Sequence, residues 1–269
     1  MRRTLVALAY VIVIAAGCGT ATEATEATDA TGRATTITIA AAADLRFALD
    51  DLIAAYRVDH PDVDIGATYG SSGNAYSQIE NCAPFDLYFS ADIDYPRRLE
   101  AAGLAAVGAT RRYAVGRIVV WVRNDSPIDV AALGLDAVTE PTVAKVSIAN
   151  PEHAPYGRAA VAALRSTDLY DQVEPRLVLG ENVSQALQFV ESGAADVGII
   201  AYSLALAPTV ASEGRFTLIP ADAHPPIEQG VVVLDRATDP AATTRFLDYV
   251  LGSEGRPTLE RYGFVVPEG

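Results

Sequence analysis

The sequence predicts an α/β protein of two lobes with a ligand cleft between them. Strands and helices alternate along the chain, which is typical of α/β folds with mostly parallel sheets. Two stretches, about 113–122 and about 224–234, are predicted to cross between the lobes and enclose a middle block. We therefore expect a discontinuous lobe 1, residues 36–115 plus 230–269, and a lobe 2 over residues 116–229. Two lobes around a cleft are typical of a ligand-binding protein.

The amino-acid composition and net charge limit the classes of binding partner. Half of the 269 residues are apolar and 20% are charged, which argues against a disordered chain. The net charge of −14 argues against nucleic acid or an anionic membrane surface as a partner. A bound anion would therefore have to be held by local dipoles against an adverse overall field.

The N-terminus has the pattern of an export signal. Arg2 and Arg3 precede an apolar run, 5–16, that is too short for a comfortable membrane span. Small residues then lead to Cys18, as in a bacterial lipoprotein signal. We predict a signal peptide over residues 1–17 and a lipid on the Cys18 thiol; the alternative is a plain secretory signal with an incidental cysteine.

A flexible tether is predicted next. Residues 18–35 repeat alanine, threonine and glutamate without a periodic apolar face. The sequence thus predicts an extracytoplasmic globular body, anchored to the cell membrane by the lipid on Cys18.

The stretch from Ile37 to Leu45 is predicted to pass from a strand into a helix through small residues. Apolar residues then recur at helical spacing as far as Tyr56. The first turn of a helix has unpaired N–H groups and the positive end of the helix dipole, which together favour an anion. The alternative is an ordinary βα unit capped by Asp44.

A second junction of this kind follows the alternating strand at 63–69. Gly70-Ser71-Ser72-Gly73-Asn74 places two hydroxyls and two glycines before a short helix. Hydroxyls there can cap the helix or donate to an oxyanion, and glycines let a ligand approach the backbone. Because parallel strands end at the same edge of a sheet, the two junctions favour a shared site.

Several motifs resemble the solute-binding component of bacterial molybdate ABC transporters. They are Ala41-Ala42-Ala43-Asp44-Leu45, Gly70-Ser71-Ser72-Gly73-Asn74, the blocks 83–92 and 151–157, Glu181-Asn182-Val183 and Arg261-Tyr262-Gly263-Phe264. The resemblance runs from about residue 36 to the C-terminus. It implies a periplasmic-binding-protein-like (type II) fold and a monomer that captures molybdate, and also tungstate, for an ABC permease. It implies neither enzyme activity nor a cofactor.

The resemblance also implies how the oxyanion is held, namely by hydroxyls and backbone N–H groups from both lobes without cationic side chains. The matching positions are Asp44, the hydroxyl and amide of Ser72, and the amides of Tyr156 and Val183. The family has a tyrosine hydroxyl where this chain has Ala201. Tyr202, one place later, can substitute only if the local backbone differs.

Asp44 departs from the family, which has serine at this position. Two charges about 4 Å apart repel by roughly 4 kcal/mol at an effective dielectric constant near 20. We therefore expect the side chain to turn back as an N-cap while the amide of residue 44, or of 43, faces the ligand. The alternatives are that it accepts a proton from an oxyanion such as hydrogen phosphate, or that it ligates the metal centre.

Two other functions stay open. Phosphate or sulfate binding lies within the same class, and an anchored enzyme or sensor domain lies in a different one. The three histidines, His60, His153 and His224, do not have metal-ligand spacing. Ser71 and Ser72 lack the Gly-x-Ser-x-Gly frame of a hydrolase nucleophile. We therefore predict no catalytic residue and no separate metal site.

Overall fold

The computed structural model describes residues 35–267. The predicted signal peptide, the lipidation site at Cys18 and residues 18–34 of the tether lie outside this range. Within it, none of the helices combines the length and the apolar character that a membrane crossing needs.

Ten strands form two five-stranded sheets. The strands are β1 (Thr35–Ala42), β2 (Val63–Gly70), β3 (Leu87–Ser90), β4 (Arg111–Gly116), β5 (Ile118–Arg123), β6 (Val146–Ala149), β7 (Leu177–Gly180), β8 (Val197–Ala201), β9 (Gly214–Leu218) and β10 (Ile227–Val233). The first sheet has the order β2-β1-β3-β10-β4 and the second has the order β7-β6-β8-β5-β9. We call each sheet with its helices a lobe.

Eleven helices accompany the strands in the described range. They are α1 (Arg46–Asp59), α2 (Ser72–Glu80), α3 (Asp94–Ala101), α4 (Val130–Leu133), α5 (Pro155–Ser166), α6 (Tyr170–Val173), α7 (Val183–Glu191), α8 (Tyr202–Ala205), α9 (Pro208–Ala211), α10 (Pro240–Leu251) and α11 (Arg256–Arg261). The two-lobed α/β architecture predicted from the sequence is confirmed.

The chain crosses between the sheets twice. It leaves the first sheet at the end of β4 and enters the second at β5, with Arg117 between them. It returns over residues 219–226, between β9 and β10. The exact lobe boundaries remain a prediction, and β1 begins at Thr35, one residue inside the predicted tether.

The sheets are mixed, so the expectation of mostly parallel sheets was wrong. In the first sheet β1 pairs in parallel with β2 and β3, whereas β10 is antiparallel to β3 and β4. The second sheet repeats this division around β5. The antiparallel pairs all include β5 or β10, the strands that each follow a crossing and enter their sheet from the other lobe. Parallel pairing persists where βα units follow one another.

The predicted apolar face of α1 is confirmed. Leu45, Leu49, Leu52 and Tyr56 are all buried, at the spacing that predicted one helix face. The ring of Tyr56 meets that of Phe246 on α10 edge-on, with 5.1 Å between ring centroids. This contact packs the last turn of α1 against α10.

Candidate functional site

A small cavity lies where several strands end and helices begin. Its volume is about 10 Å³, close to the minimum that holds one water molecule. The lining residues come from both lobes and are Ala42, Ala43, Asp44, Gly70, Ser71, Ser72, Ala91, Ala154, Pro155, Tyr156, Asn182 and Val183. They include no lysine, arginine or histidine, and Asp44 is the one acid.

Helix N-termini supply the donors. Ser72, Tyr156 and Val183 lie in the first turns of α2, α5 and α7. In residues 35–267, no hydrogen bond to a backbone or side-chain acceptor occupies the amides of these three residues. Unpaired first-turn amides carry the positive end of the helix dipole. Four predicted positions, these three and Asp44, therefore come together around one cavity.

Ser72 offers a side-chain donor as well. Its oxygen accepts a hydrogen bond from the amide of Ala91 at 2.9 Å, and its residue is buried. A hydroxyl has one proton to donate besides its acceptor lone pairs. Because the Ala91 amide occupies an acceptor position, the proton of Ser72 remains available for an anion in the cavity.

Neighbouring residues take the capping roles. The side chain of Ser71 caps α2 by accepting from the amide of Asn74 at 3.4 Å, and that of Asn182 caps α7 by accepting from Gln185 at 3.1 Å. The cap of α7 bonds to the Gln185 amide and not to that of Val183, which lines the cavity. Pro155 opens α5 and has no N–H of its own, so Tyr156 supplies the first free amide there.

The expectation that Asp44 caps the helix was wrong. Residues Ala43–Leu45 form a 3-10 turn before α1, and Asp44 lies inside that turn rather than in front of it. Neither Ala42 nor Leu45, the residues at the cap positions, makes a side-chain cap hydrogen bond. A residue within the first turn cannot reach forward to cap it, so the carboxylate is free to point elsewhere.

The carboxylate of Asp44 instead enters a buried polar network. Its Oδ2 accepts from the hydroxyl of Tyr156 at 2.8 Å and from Nε2 of Gln229 at 2.7 Å. Gln229 also accepts a hydrogen bond from Tyr113 on β4. Its Nε2 lies 3.0 Å from the Tyr156 hydroxyl, and the absence of a side chain at Gly116 makes room for both groups. The network joins β4 and β10 of the first lobe to α5 of the second.

Burial dominates the electrostatics of this network. Burial raises the pKa of Asp44 to about 6, against the lowering effect of the hydrogen bonds from Gln229 and Tyr156. Burial, followed by the nearby Asp44 charge, holds the pKa of the Tyr156 hydroxyl well above its usual range. Tyr156 therefore keeps its proton and acts as the donor.

Tyr202 is not brought to the cavity. Its amide donates to the carbonyl of Arg117, and its ring packs edge-on against Phe216, with centroids 5.6 Å apart. Ala201 is fully buried and precedes α8. The tyrosine hydroxyl that approaches this region is that of Tyr156, from a different helix. The predicted substitution by Tyr202 therefore has no geometric support.

Polar contacts hold the lobes together around the cavity. Nδ1 of His153, in the second lobe, lies 2.9 Å from the Ser71 hydroxyl, and its carbonyl accepts from the Gly73 amide at 2.9 Å. The hydroxyl of Ser203 donates to the Asp44 carbonyl at 2.7 Å, and Arg158 forms an ion pair with Asp92. The described lobes are thus in contact along the rim, which is a closed arrangement.

Sequence reasoning missed Gln229 and Tyr113. Gln229 lies in the strand Ile227–Val233, whose C-terminal end is apolar. A glutamine in such a strand could have indicated a buried polar network, because a buried amide needs hydrogen-bond partners. Tyr113 had no such signal, since its neighbours on β4 are ordinary strand residues. Their partnership depends on the pairing of β4 with β10, which joins residues more than a hundred positions apart.

A larger cavity of about 490 Å³ adjoins the small one and shares Ala91 and Pro155 with it. Its arginines are already paired, Arg97 with Asp94 and Arg158 with Asp92. A guanidinium group that is already paired with a carboxylate binds an anion less readily than an unpaired backbone amide does. We therefore place the candidate site at the small cavity, which must widen before it can hold a tetrahedral oxyanion.

Comparison with known proteins identifies the family to which the chain belongs. The family model described as bacterial extracellular solute-binding protein matches residues 37–265. The molybdate-binding protein ModA of Rhodobacter capsulatus is 35% identical over 73% of this chain and 75% of its own length. The putative ABC transporter substrate-binding lipoprotein YvgL of Bacillus subtilis is 30% identical over 85% of this chain and 86% of its own.

A solved structure shows the same fold. The periplasmic molybdate-binding protein of Azotobacter vinelandii superimposes with a TM-score of 0.80 at 27% identity, covering 86% of this chain and all of that one. The Rhodobacter and Azotobacter relatives are named as molybdate-binding proteins, which confirms the prediction of a binding protein rather than an enzyme. The chain belongs to the bacterial extracellular solute-binding protein family.

Proposed function

We propose that this protein captures molybdate, and also tungstate, outside the cytoplasm and delivers it to an ABC permease. The observation that carries the proposal is the small cavity with free amides at Ser72, Tyr156 and Val183 and no cationic side chain. Relatives named as molybdate-binding proteins support the choice of ligand.

Dipoles suit a doubly charged tetrahedral anion. Three helix N-termini and the Ser72 hydroxyl provide donors from several directions, so the charge is compensated without a counter-ion. Closure of the lobes removes water, which strengthens each of these hydrogen bonds. The closed shape is then the signal that a permease reads.

The cellular setting is part of the proposal. We propose that residues 1–17 are removed, that Cys18 carries the lipid, and that residues 18–35 tether a monomeric body. The similarity to YvgL, named as a lipoprotein, supports the anchor. Radiolabelled fatty acid incorporation that is lost in Cys18→Ala tests it. We propose the lobe boundaries near residues 115 and 230 that the sequence predicts, with the whole of β10 in the first lobe.

Titration calorimetry tests the ligand. The purified protein is titrated with molybdate, tungstate, sulfate and phosphate in the same buffer. We expect one molybdate or tungstate per chain and weak or no heat with the other two. No heat with molybdate, together with binding of phosphate, contradicts the proposal.

The buried carboxylate of Asp44 favours one second candidate. An anion that carries a proton, such as hydrogen phosphate, could donate it to Asp44 and avoid charge repulsion. The same titration separates the two, because this candidate requires phosphate to bind more tightly than molybdate.

A further inference from the structure

One oxygen of Asp44 has no partner. Asp44 is part of the cavity wall and is 1% exposed. Its Oδ2 accepts from Tyr156 and Gln229, whereas Oδ1 meets no hydrogen-bond donor among residues 35–267. A buried carboxylate oxygen without a partner is costly, so its presence beside a binding cavity needs an explanation.

The two oxygens of this carboxyl group have different surroundings. Oδ2 is saturated by two donors whose protons point at it, so a proton on the group would have to lie on Oδ1. A carboxyl group protonated on Oδ1 becomes a donor.

The groups around Asp44 also favour a neutral carboxyl group. Among the described residues, the hydrogen-bonding neighbours of the carboxyl group are the neutral Gln229 from β10 and the tyrosine hydroxyl from α5, and β4 contributes Tyr113. The elements α7 and α8 direct hydroxyls, Ser184 and Ser203, at the backbone of Ala43 and Asp44. These groups provide no positive charge to balance a carboxylate beside a doubly charged anion, which would be strongly unfavourable.

We propose that Asp44 binds the oxyanion as a neutral carboxylic acid. Capture of a doubly charged anion then takes up one proton from solution, and this proton lies between Asp44 Oδ1 and a ligand oxygen. The balance is simple: carboxylate, proton and dianion combine into one hydrogen-bonded pair. This inference rests on the proposed function, since it needs an oxyanion in the small cavity.

The pKa of Asp44 determines how the affinity for the anion changes with pH. Burial raises the pKa of Asp44 to about 6 in the free protein. A bound dianion opposes ionisation further, so the pKa rises again on binding. Between these two values the complex holds one more proton than the free protein. Affinity therefore falls about tenfold for each unit of pH above about 6.5 and levels off below about 5.5.

Calorimetry at several pH values provides the test. Molybdate is titrated into the purified protein at pH 6.5, 7.0 and 7.5, in buffers that differ in ionisation enthalpy. We expect uptake of close to one proton per anion at pH 7.0 and an affinity that falls nearly tenfold over the series. Tight binding without proton uptake and with constant affinity overturns the inference but leaves the proposed function standing.

Two variants and a control sharpen the result. Asp44→Asn keeps the shape and Asp44→Ser restores a hydroxyl; both should bind molybdate without proton uptake and with an affinity that varies less than twofold. Asp64→Asn changes an exposed acid that pairs with Arg57, and should keep the native pH dependence. Persistent proton uptake in both Asp44 variants assigns the proton elsewhere and overturns the inference. Failure of every form to bind molybdate contradicts the proposed function itself.

Discussion

The hydroxyl of Tyr156 donates a hydrogen bond to Oδ2 of Asp44 across 2.8 Å, and this bond joins the two lobes. Asp44 follows β1 of the first sheet, whereas Tyr156 lies on α5, after β6 of the second. Both residues are buried beside the crossing strands. The bond therefore connects the candidate ligand site to the region about which the lobes would move.

Tyr156→Phe should weaken closure. It removes the hydroxyl that spans the lobes and leaves Oδ2 with one donor, at a cost of about 1–3 kcal/mol. We expect a lower melting temperature and weaker molybdate binding. Differential scanning calorimetry and titration measure these effects. Tyr170→Phe, which removes an exposed hydroxyl bonded to Glu174, is the matched control and should change neither.

Asp44→Asn should stabilise the protein at high pH. The pKa of Asp44 rises from 3.8 to about 6 on folding, and each pKa unit is worth about 1.4 kcal/mol. The folded state thus holds the extra proton between pH 4 and 6, and the cost of ionising the buried acid is complete above about pH 6. We expect a gain of up to about 3 kcal/mol at pH 8 that vanishes near pH 4.

Urea unfolding at both pH values measures that gain. An equal effect of Asp44→Asn at pH 4 and pH 8 would show that packing, and not ionisation, separates the variant from the native protein.

Ser72→Ala should lower affinity without unfolding the site. A hydrogen bond to a charged partner is worth about 1.5–3 kcal/mol, so the dissociation constant should rise about 10- to 100-fold. The amide of Ala91 also loses its acceptor. Ser77→Ala changes an exposed hydroxyl on the same helix and serves as the control. Unchanged affinity in Ser72→Ala would remove this hydroxyl from the proposed site.

Gly116→Ala should disrupt the buried network. A methyl group there would clash with the Tyr156 hydroxyl and lie 2.7 Å from Nε2 of Gln229. We expect a loss of stability of about 1–3 kcal/mol and weaker molybdate binding. Gly66→Ala is the control, because a methyl group at Gly66 meets no atom within 4 Å. Equal unfolding free energies for the two variants would argue against a tightly packed network at Gly116.

Local chemistry explains what could be predicted from the sequence. The hydroxyls and glycines around Ser72 mark a helix start, so this segment could be predicted as a neighbour of a site, whereas Val183 was implied by the family resemblance. The orientation of Asp44 could not, because it depends on the register of the first turn. Asp44 lies two residues beyond Ala42, which is the N-cap of this turn.

The contacts of the buried network could not be predicted from local sequence. Gln229 donates to Asp44 and accepts from Tyr113. The contact between Tyr113 and Gln229 depends on the pairing of β4 with β10 over a long sequence separation, and no local pattern fixes that pairing. The predicted ligand contact of Tyr202 lacks geometric support for a related reason. Its neighbour Ala201 ends β8, and the chain turns into α8 so that the tyrosine ring packs on Phe216.

A crystal structure of the protein with molybdate tests the central claim most directly, because anomalous scattering locates the molybdenum atom. We expect the anion in the small cavity, with its oxygens about 2.7–3.2 Å from the amides of Ser72, Tyr156 and Val183. Molybdate bound instead in the larger cavity, against the guanidinium groups of Arg97 and Arg158, would contradict it.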